Sequence, residues 1–285
     1  MDRTAFINQF TTALNVGQAA YVEPGTYDLI VPANVYSMSA VAVGAGQSGG
    51  SRVSTDNGRG GAGGDLRYIR VFPTTPGETL RITVGAGGRR TNSIIGVAGG
   101  TTTIVRVSTG EVILRARGGA AGGTSTTISA NVGGSQGGTA GATLLSKGGA
   151  GASGYSGRGG NSVDTSGGRD GIGGGGSAGG NGNTNSDGGG AGGGVGILGE
   201  GASGIAPSVD GNLGGRGGSE GSDGGNGQTT AGTGYGGNGF GFGAGGGGQE
   251  SGGNATIGGE GGPGAARLIW PAPIRQYPST LTQDM

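Results

Sequence analysis

The chain of 285 residues contains no cysteine and no histidine. The absence of cysteine excludes a disulfide framework and a thiolate metal site. Histidine is the commonest general base and metal ligand in proteins, so its absence argues against acid–base or metal-dependent catalysis. We therefore expect a protein that is not an enzyme and that holds neither a cofactor nor a metal ion.

Aromatic residues, net charge and long apolar runs are scarce as well. Aromatic residues make up 5% of the chain, and 17 basic residues balance 17 acidic ones. A balanced charge argues against nucleic acid and against an anionic membrane surface as partners. No apolar run reaches the roughly 20 residues of a membrane-spanning helix, and the first ten residues lack the layout of a secretory signal. The sequence therefore predicts synthesis in a cytoplasm, no export by that route and no membrane insertion.

Glycine dominates what is present, with 82 residues. The longest regular run, residues 215–227, has glycine at every third position. A period of three belongs to the polyproline II helix, called polyglycine II when glycine forms it, and a run of this length would make a rod of about 40 Å. Shorter runs have the same period of three at residues 173–182, 190–199 and 258–264.

A single glycine-rich rod is unstable in water. Ordering a backbone costs about 1–2 kcal/mol per residue, whereas a hydrogen bond returns only about 0.5–1.5 kcal/mol net. Order requires many rods side by side, whose backbones approach closely and hydrogen-bond to one another. A flexible linker is the alternative. Clusters of Asn, Asp, Ser and Thr predict the turns between rods, at residues 181–187, 208–212 and 228–230.

Short strands separated by turns are predicted before this region, together with a glycine-rich loop at residues 44–64. In one of them Leu66, Tyr68, Arg70 and Phe72 are expected to share a face. Strands of this number and spacing predict a small β-sandwich. A last strand at 265–270 is expected to return to it, so that one β-domain holds both ends of the glycine region. The predicted strands of the sandwich are 26–31, 36–43, 65–72, 80–84, 101–107 and 111–117.

The predicted fold is therefore mainly β with polyglycine II: a small N-terminal β-sandwich, a stacked polyglycine II helix bundle and very little α-helix. Prolines in the last residues predict an extended tail. The predicted parts are an N-terminal helical or attachment segment (1–20), the β-sandwich (21–117), the polyglycine II region (118–263), and the returning strand with the tail (264–285).

An apolar stripe near the N-terminus predicts a short helix within residues 2–15. Phe6, Ile7, Phe10 and Leu14 lie on that stripe. Two interpretations stay open: these side chains pack on the chain's own domain, or they attach it to a partner protein.

Two patterns with the form of binding motifs are interpreted as structural. Residues 44–49 match the dinucleotide fingerprint G-x-G-x-x-G, but no helical periodicity follows to hold a pyrophosphate, so we expect a chance match. The carboxylates in glycine-rich turns are interpreted as solvated turn residues rather than calcium ligands. These carboxylates are Asp164, Asp170, Asp187 and Asp223.

The aromatic residues within the glycine region are the candidate receptor contacts. They are Tyr155, Tyr235, Phe240 and Phe242. Aromatic side chains offer a large contact area at low entropic cost, which suits recognition of protein loops or sugars. The alternative is that they cover the sides of the stack or seal it onto the β-domain.

Three segments together resemble glycine-rich bacteriophage tail-fibre and tail-tip adhesins. They read PANVYSMSAVAVGAG at 32–46, TPGETLRITVGAGG at 75–88, and GGPGAARLIW at 261–270 followed by RQYPST at 275–280. The resemblance implies a virion protein whose stacked polyglycine II helices present loops to a receptor on a bacterial surface. The chain departs from such adhesins in carrying its own β-domain and in having few aromatic residues in the candidate loops.

From this resemblance we expect a non-enzymatic virion protein that contacts a host surface protein or glycan through turns of the stack. Other virion proteins are the expected partners, and a homotrimer and a monomer both stay open. A purely structural virion protein, such as a capsid fibre or decoration, is the alternative. An ice-binding protein is a further one, against which Arg216, Glu220 and Asp223 argue because they place charges in the longest run.

Overall fold

The computed structural model describes residues 15–51, 57–120, 132–139, 147–162, 168–180, 188–207, 211–230, 233–249, 257–272 and 274–279. Within these ranges the chain forms eleven β-strands and no helix, which confirms the mainly-β prediction. No described segment is therefore a helix of the length and hydropathy needed to span a membrane. The strands are β1 (Gly17–Tyr21), β2 (Gly25–Ile30), β3 (Ser37–Val43), β4 (Leu66–Pro73), β5 (Thr79–Val84), β6 (Thr102–Arg106), β7 (Glu111–Ala116), β8 (Val132–Ser135), β9 (Gln228–Thr230), β10 (Thr233–Tyr235) and β11 (Ala265–Trp270).

Nine of these strands form two antiparallel sheets. The five-stranded sheet has the order β1-β11-β3-β4-β8, and the four-stranded sheet has the order β2-β5-β6-β7. The strand β11 lies between β1 and β3, with Ala266 opposite Tyr21 on one side and Ala42 on the other. The returning strand is therefore paired within the sheet. The sequence did not predict β1 or β8, because both are short and their glycines and alanines have low β-propensity.

A hydrophobic core fills the space between the two sheets. Met38, Ala40 and Ala42 of β3 belong to it. Ile82 of β5 and Leu114 of β7 belong to it from the other sheet, and all five side chains are fully buried. Alternate residues along each strand thus form the interior of a β-sandwich.

The opposite face of the five-stranded sheet is covered as well. Val41 and Val43 of β3 and Ile269 of β11 belong to a second buried cluster. Val195 and Tyr155 join this cluster from the glycine-rich part of the chain. Both faces of β3 and β11 are therefore covered, and every residue of β11 is buried. The molecule consists of three layers: the four-stranded sheet, the five-stranded sheet and the glycine-rich layer.

A β-bulge changes which side chains of β4 share a face. The register between β3 and β4 shifts by one residue part-way along the pair. An extra residue in one strand moves the following side chains to the other face. Leu66 and Tyr68 consequently face the glycine-rich layer, Phe72 packs between the two sheets, and Arg70 is exposed. The prediction that these four side chains share one face is wrong for this reason.

The glycine-rich layer is a stack of polyglycine II rods. Consecutive N–H groups of the rod at residues 188–196 donate to three neighbouring rods in turn, and the order repeats after three residues. The acceptors for residues 190–195 are, in order, the carbonyl oxygens of Gly180, Gly225, Gly245, Ser177, Ser222 and Phe242, at 2.8–3.1 Å. A repeat of three residues is the helical repeat of polyglycine II. The hydrogen-bonded backbone itself is the interior of this layer.

Glycine is required along these rods because neighbouring backbones leave no room for a side chain. A Cβ atom on Gly193 would lie 2.0 Å from a carbonyl oxygen of the next rod, and one on Gly192 would lie 2.1 Å from the Ala150 oxygen. An ordinary C···O contact is about 3.3–3.6 Å. Single methyl groups fit only where the rods leave a gap, and those of Ala150, Ala191 and Ala244 are fully buried.

The rods continue the strands without a break in register. Val43 at the end of β3 lies opposite Ala265 at the start of β11. Six residues past Val43, the N–H of Gly49 donates to the carbonyl of Gly259, six residues before Ala265, at 2.8 Å. The rod at 44–51 also gains a third neighbour, the rod at 93–100, which leads into β6 of the other sheet. Rods connected to strands of both sheets thus bond to one another and form a single stack.

The stack begins earlier in the chain than the sequence predicts. The segments 44–51, 57–64 and 93–100 precede the predicted boundary at residue 118, yet their N–H groups and carbonyls bond to neighbouring rods. Residues 44–64 were expected to form a loop because no long triplet frame marks them. Backbone N–H groups of the G-x-G-x-x-G segment donate to carbonyl oxygens of these rods.

The longest triplet run folds back on itself. Ser219 and Glu220 have φ angles of 47° and 63°, which belong to the left-handed region, and the chain reverses there. Across the reversal, the N–H of Gly224 donates to the carbonyl of Gly215 at 2.8 Å. The prediction of one long rod at 215–227 is therefore wrong, because the chain makes two short antiparallel rods instead.

The three predicted turns have different outcomes. Residues 228–230 form β9, which pairs with β10, because Thr229 and Thr230 are β-branched and meet a partner strand. Residues 181–187 lie outside the described residues, as do 208–210 of the turn at 208–212.

Candidate functional site

A groove on the surface of the stack contains two of the four candidate aromatic residues. It encloses about 350 Å³, and its walls come from four separate segments of the chain. This volume is near the lower end of the range for small-molecule sites, about 300–1,000 Å³. The lining includes the side chains of Arg90, Gln228, Tyr235, Asn238 and Phe240.

Phe240 is the prominent aromatic side chain of the groove. It is 65% exposed. A Cβ atom on Gly225 would lie 2.9 Å from Cε2 of Phe240, so the ring rests against the backbone of Gly225. Because Gly225 has no side chain, its backbone contacts one side of the Phe240 ring and supports it. A ring held in this way offers a rigid contact surface.

The polar wall of the groove is held by contacts among three residues. Oδ1 of Asn238 accepts from the N–H of Glu260 at 3.0 Å and from Nη2 of Arg90 at 3.4 Å. Nε of Arg90 lies 3.7 Å from Oε1 of Glu260, and both side chains are about half exposed. The two charges compensate each other. Since the amide oxygen is engaged, the Nδ2 group of Asn238 is the part of this side chain left to donate to a ligand.

Tyr155 and Phe242 lie in the interior instead. Tyr155 is 1% exposed, its hydroxyl donates to the carbonyl of Gly196 at 3.1 Å, and its ring stacks on Tyr277 with centroids 5.9 Å apart. Phe242 is partly buried and packs against the same cluster. Burial contradicts the assignment of Tyr155 as a receptor contact. Phe242 packs between the stack and the five-stranded sheet, which agrees with the alternative that it seals the stack onto the β-domain. Burial raises the pKa of Tyr155 well above its usual value, and the neighbouring Tyr277 raises it further.

A buried arginine that the sequence analysis did not single out joins the layers. Arg267 of β11 is 1% exposed, and it donates from Nε to Oε1 of Gln18 at 3.0 Å and from Nη1 to the hydroxyl of Tyr277 at 3.3 Å. Tyr277 donates in turn to the carbonyl of Ile197 at 2.7 Å. One cluster therefore connects β1, β11, the tail and the stack. The local sequence pattern does not indicate that Arg267 is buried, because the residues that cover it are distant in the sequence.

The other candidate residues are distributed as follows. Asp170 accepts from the N–H of Ala206 at 2.6 Å, and Asp223 accepts from the N–H of Gly217 at 2.8 Å, so both carboxylates fix neighbouring backbone. Within the described ranges, no group of three or more acidic side chains is close enough together to hold a metal ion. Asp164, Asp187, Phe6, Ile7, Phe10 and Leu14 lie outside the described residues, and the roles expected for them stay predictions.

The groove and the first strand lie at opposite ends of the molecule. From Ile257 in the groove wall, the chain runs through a rod and then β11 to Trp270, a path of about 40 Å at 3.1–3.3 Å per residue. Trp270 lies opposite Gly17, and Nη1 of Arg275 donates to the carbonyl of Gly17 at 2.8 Å. Gly17 therefore lies at the end of the five-stranded sheet that is remote from the groove.

The chain belongs to a glycine-rich family. The family described as "Glycine-rich domain" matches residues 22–271, from the residue after β1 to the residue after β11. The match therefore covers the stack and all strands of the two sheets except β1, not only the triplet runs. No curated protein is significantly similar to the chain. The family's description gives composition and no activity, so the function follows as a proposal.

Proposed function

We propose that the protein is a non-enzymatic bacteriophage virion component, at a tail fibre or tail tip, that contacts a receptor on the host cell. The observation that carries this proposal is the groove with Phe240 and Tyr235, at the end of the stack remote from Gly17. An attachment end and a contact end separated along one rigid body are what an adhesive tip requires.

The stack supports this role because it is rigid. Each rod bonds to several neighbours, so a displacement of one rod breaks hydrogen bonds with all of them. Turns and grooves at the surface of such a stack keep their shape, which reduces the entropic cost of binding. Recognition then depends on exposed side chains such as Phe240, while the backbone supplies the scaffold.

The N-terminal residues supply the attachment in this proposal. Phe6, Ile7, Phe10 and Leu14 precede Gly17 in the chain, and they are the side chains that would bind the partner. Other virion proteins are the expected partners, and a host surface protein or glycan is the expected receptor.

The location is tested by reconstructing the phage particle at a resolution that identifies the rods, or by immunogold labelling with an antibody against the purified chain. Label on the tail fibre or tail tip supports the proposal. Label on the head would select a structural capsid fibre or decoration instead, and a particle without the chain would overturn both.

Receptor contact is tested separately. Phage carrying the double variant Tyr235→Ala/Phe240→Ala should adsorb more slowly to host cells than phage carrying Tyr36→Ala. Tyr36 is a matched control because it is also an exposed aromatic residue, 67% accessible, and it precedes β3 at the opposite end from the groove. Equal adsorption by both phages would contradict a receptor role for the groove.

A further inference from the structure

The geometry of the groove points to the chemistry of its ligand: we propose that it binds a neutral saccharide, with the apolar face of one ring against Phe240. The inference rests on the proposed function in one respect, since it takes the groove as the surface that meets the receptor. It goes further by choosing a sugar over a protein loop.

The groove combines an exposed aromatic ring with planar polar groups, as a saccharide site requires. A sugar ring has an apolar C–H face and a rim of hydroxyl groups. Phe240 supplies a supported aromatic surface for the face, and Tyr235 lines the same groove. The carboxamides of Asn238 and Gln228 supply donors and acceptors for the rim. A groove for an apolar peptide side chain would not need this number of amide groups.

The main hydrogen-bond donor of the groove, Nδ2 of Asn238, is held in place before the ligand arrives. Oδ1 of Asn238 is fixed by the Glu260 N–H and by Arg90, so the orientation of the amide is set by the protein. A donor that needs no reordering loses less entropy on binding. Hydroxyl groups, which accept as well as donate, are suited to the Nδ2 hydrogens.

The charges at the groove favour a neutral ligand. Arg90 lines the groove, and its Nε lies 3.7 Å from Oε1 of Glu260, which is not itself a lining residue, so the positive charge of the wall is compensated from beside the groove. An anionic ligand would compete with Glu260 for the guanidinium and would meet its repulsion. A cationic ligand would compete with Arg90 in the same way. The compensated wall therefore favours a neutral ligand.

The volume of the groove fits a small ligand better than a protein surface. A stable protein interface buries about 1,200–2,000 Å² in total, whereas a groove of about 350 Å³ has the dimensions of a small-molecule site. One or two sugar rings would fill it, and the rest of a longer chain would extend into solvent.

The test uses the full chain on an array of immobilised neutral oligosaccharides of hexoses, 6-deoxyhexoses and N-acetylhexosamines. The wild type should bind at least one of them. Phe240→Ala should weaken that binding about tenfold, because it removes the stacking surface. Tyr36→Ala, which removes an aromatic residue of equal exposure far from the groove, should leave the affinity unchanged.

Asn238→Asp is a second variant that separates hydrogen bonding from folding. It keeps an oxygen to accept from Arg90 and from the Glu260 N–H, but it removes the two amide hydrogens. We expect an unchanged melting temperature and about tenfold weaker saccharide binding. Unchanged binding by both Phe240→Ala and Asn238→Asp would overturn the assignment, as would the absence of any array signal from the wild type.

The same proposal can fail while the receptor role survives. Periodate cleaves the vicinal diols of cell-surface sugars, and protease removes surface proteins. If the labelled chain binds host cells, periodate should abolish that binding and protease should leave it intact. Binding that resists periodate but is lost after protease would identify a protein receptor and refute the saccharide, without affecting the virion role.

Discussion

Replacement of Gly192 by alanine tests whether the close approach of rods holds the stack together. The new Cβ atom would lie 2.1 Å from the carbonyl oxygen of Ala150. Since an ordinary C···O contact is about 3.3–3.6 Å, the two rods must separate by more than about 1 Å.

The separation can be converted to a loss of stability. Between these two rods, Gly149 donates to Gly190 at 2.8 Å and Ala152 donates to Gly193 at 3.0 Å. Moving the rods apart by about 1 Å stretches both bonds beyond hydrogen-bonding range. Each buried pair left unsatisfied costs about 1–3 kcal/mol, so we expect the free energy of unfolding to fall by about 3 kcal/mol.

Urea denaturation of Gly192→Ala, followed by far-UV circular dichroism, measures this loss. Gly211→Ala is the matched control, because a Cβ atom there would meet nothing closer than 3.5 Å and the residue does not have a positive φ. The control should lie within about 0.5 kcal/mol of the wild type. If Gly192→Ala were as stable as the control, close backbone packing would not be what stabilises the stack.

Further substitutions test the contacts between the layers. Tyr155→Phe should cost about 1 kcal/mol at neutral pH, because the carbonyl of Gly196 loses the hydroxyl that donates to it. Burial raises the pKa of Tyr155. Above about pH 10 the hydroxyl therefore loses its proton in the unfolded chain before it does in the folded protein, and the free energy of unfolding of the wild type falls by up to about 1.4 kcal/mol per pH unit. Tyr155→Phe should lack this part of the decrease in urea titrations at alkaline pH. Arg267→Met should lower the free energy of unfolding by about 3 kcal/mol, whereas Arg81→Met, on the exposed face of a sheet, should leave the melting temperature unchanged. Ser39→Ala should cost about 2 kcal/mol, since its hydroxyl accepts from the N–H of Tyr277 at 3.0 Å, and limited proteolysis should then release the tail sooner. Equal stability of the Arg267 and Arg81 variants, or an unchanged rate of tail release, would contradict these assignments.

Much of the secondary structure follows from the sequence because strands and triplets are local patterns. Strands β2 to β7 and β11 lie where β-rich segments are bounded by turn residues. The triplet period indicates polyglycine II because an α-helix repeats every 3.6 residues and a strand every two, and because 3₁₀-helices rarely exceed a few residues. The reversal at Ser219 and Glu220 is different, because neither residue is typical of the left-handed conformation and the glycine frame continues through it.

The candidate site shows where local reasoning ends. Phe240 and Phe242 are only two residues apart, yet one is exposed in the groove and the other packs on the five-stranded sheet. Phe242 lies in a turn that is closed by the Ala244 N–H donating to the Gly241 carbonyl at 3.1 Å, whereas Phe240 precedes that turn, so the two rings meet different neighbours. Which neighbour each one meets depends on how the rods are arranged, and triplet spacing carries no information about that arrangement. The burial of Tyr155 against Tyr277 could not be predicted for the same reason.

The unbroken register from β3 and β11 into their rods has a mechanical consequence. The hydrogen bonds that join these segments run across the long axis of the molecule. A pull between the groove and the end at Gly17 acts along that axis, so the bonds between neighbouring segments are loaded in shear. They must then yield together, whereas a peeling force would break them one at a time. A load applied between these two ends would therefore act in the direction in which this protein is hardest to unfold.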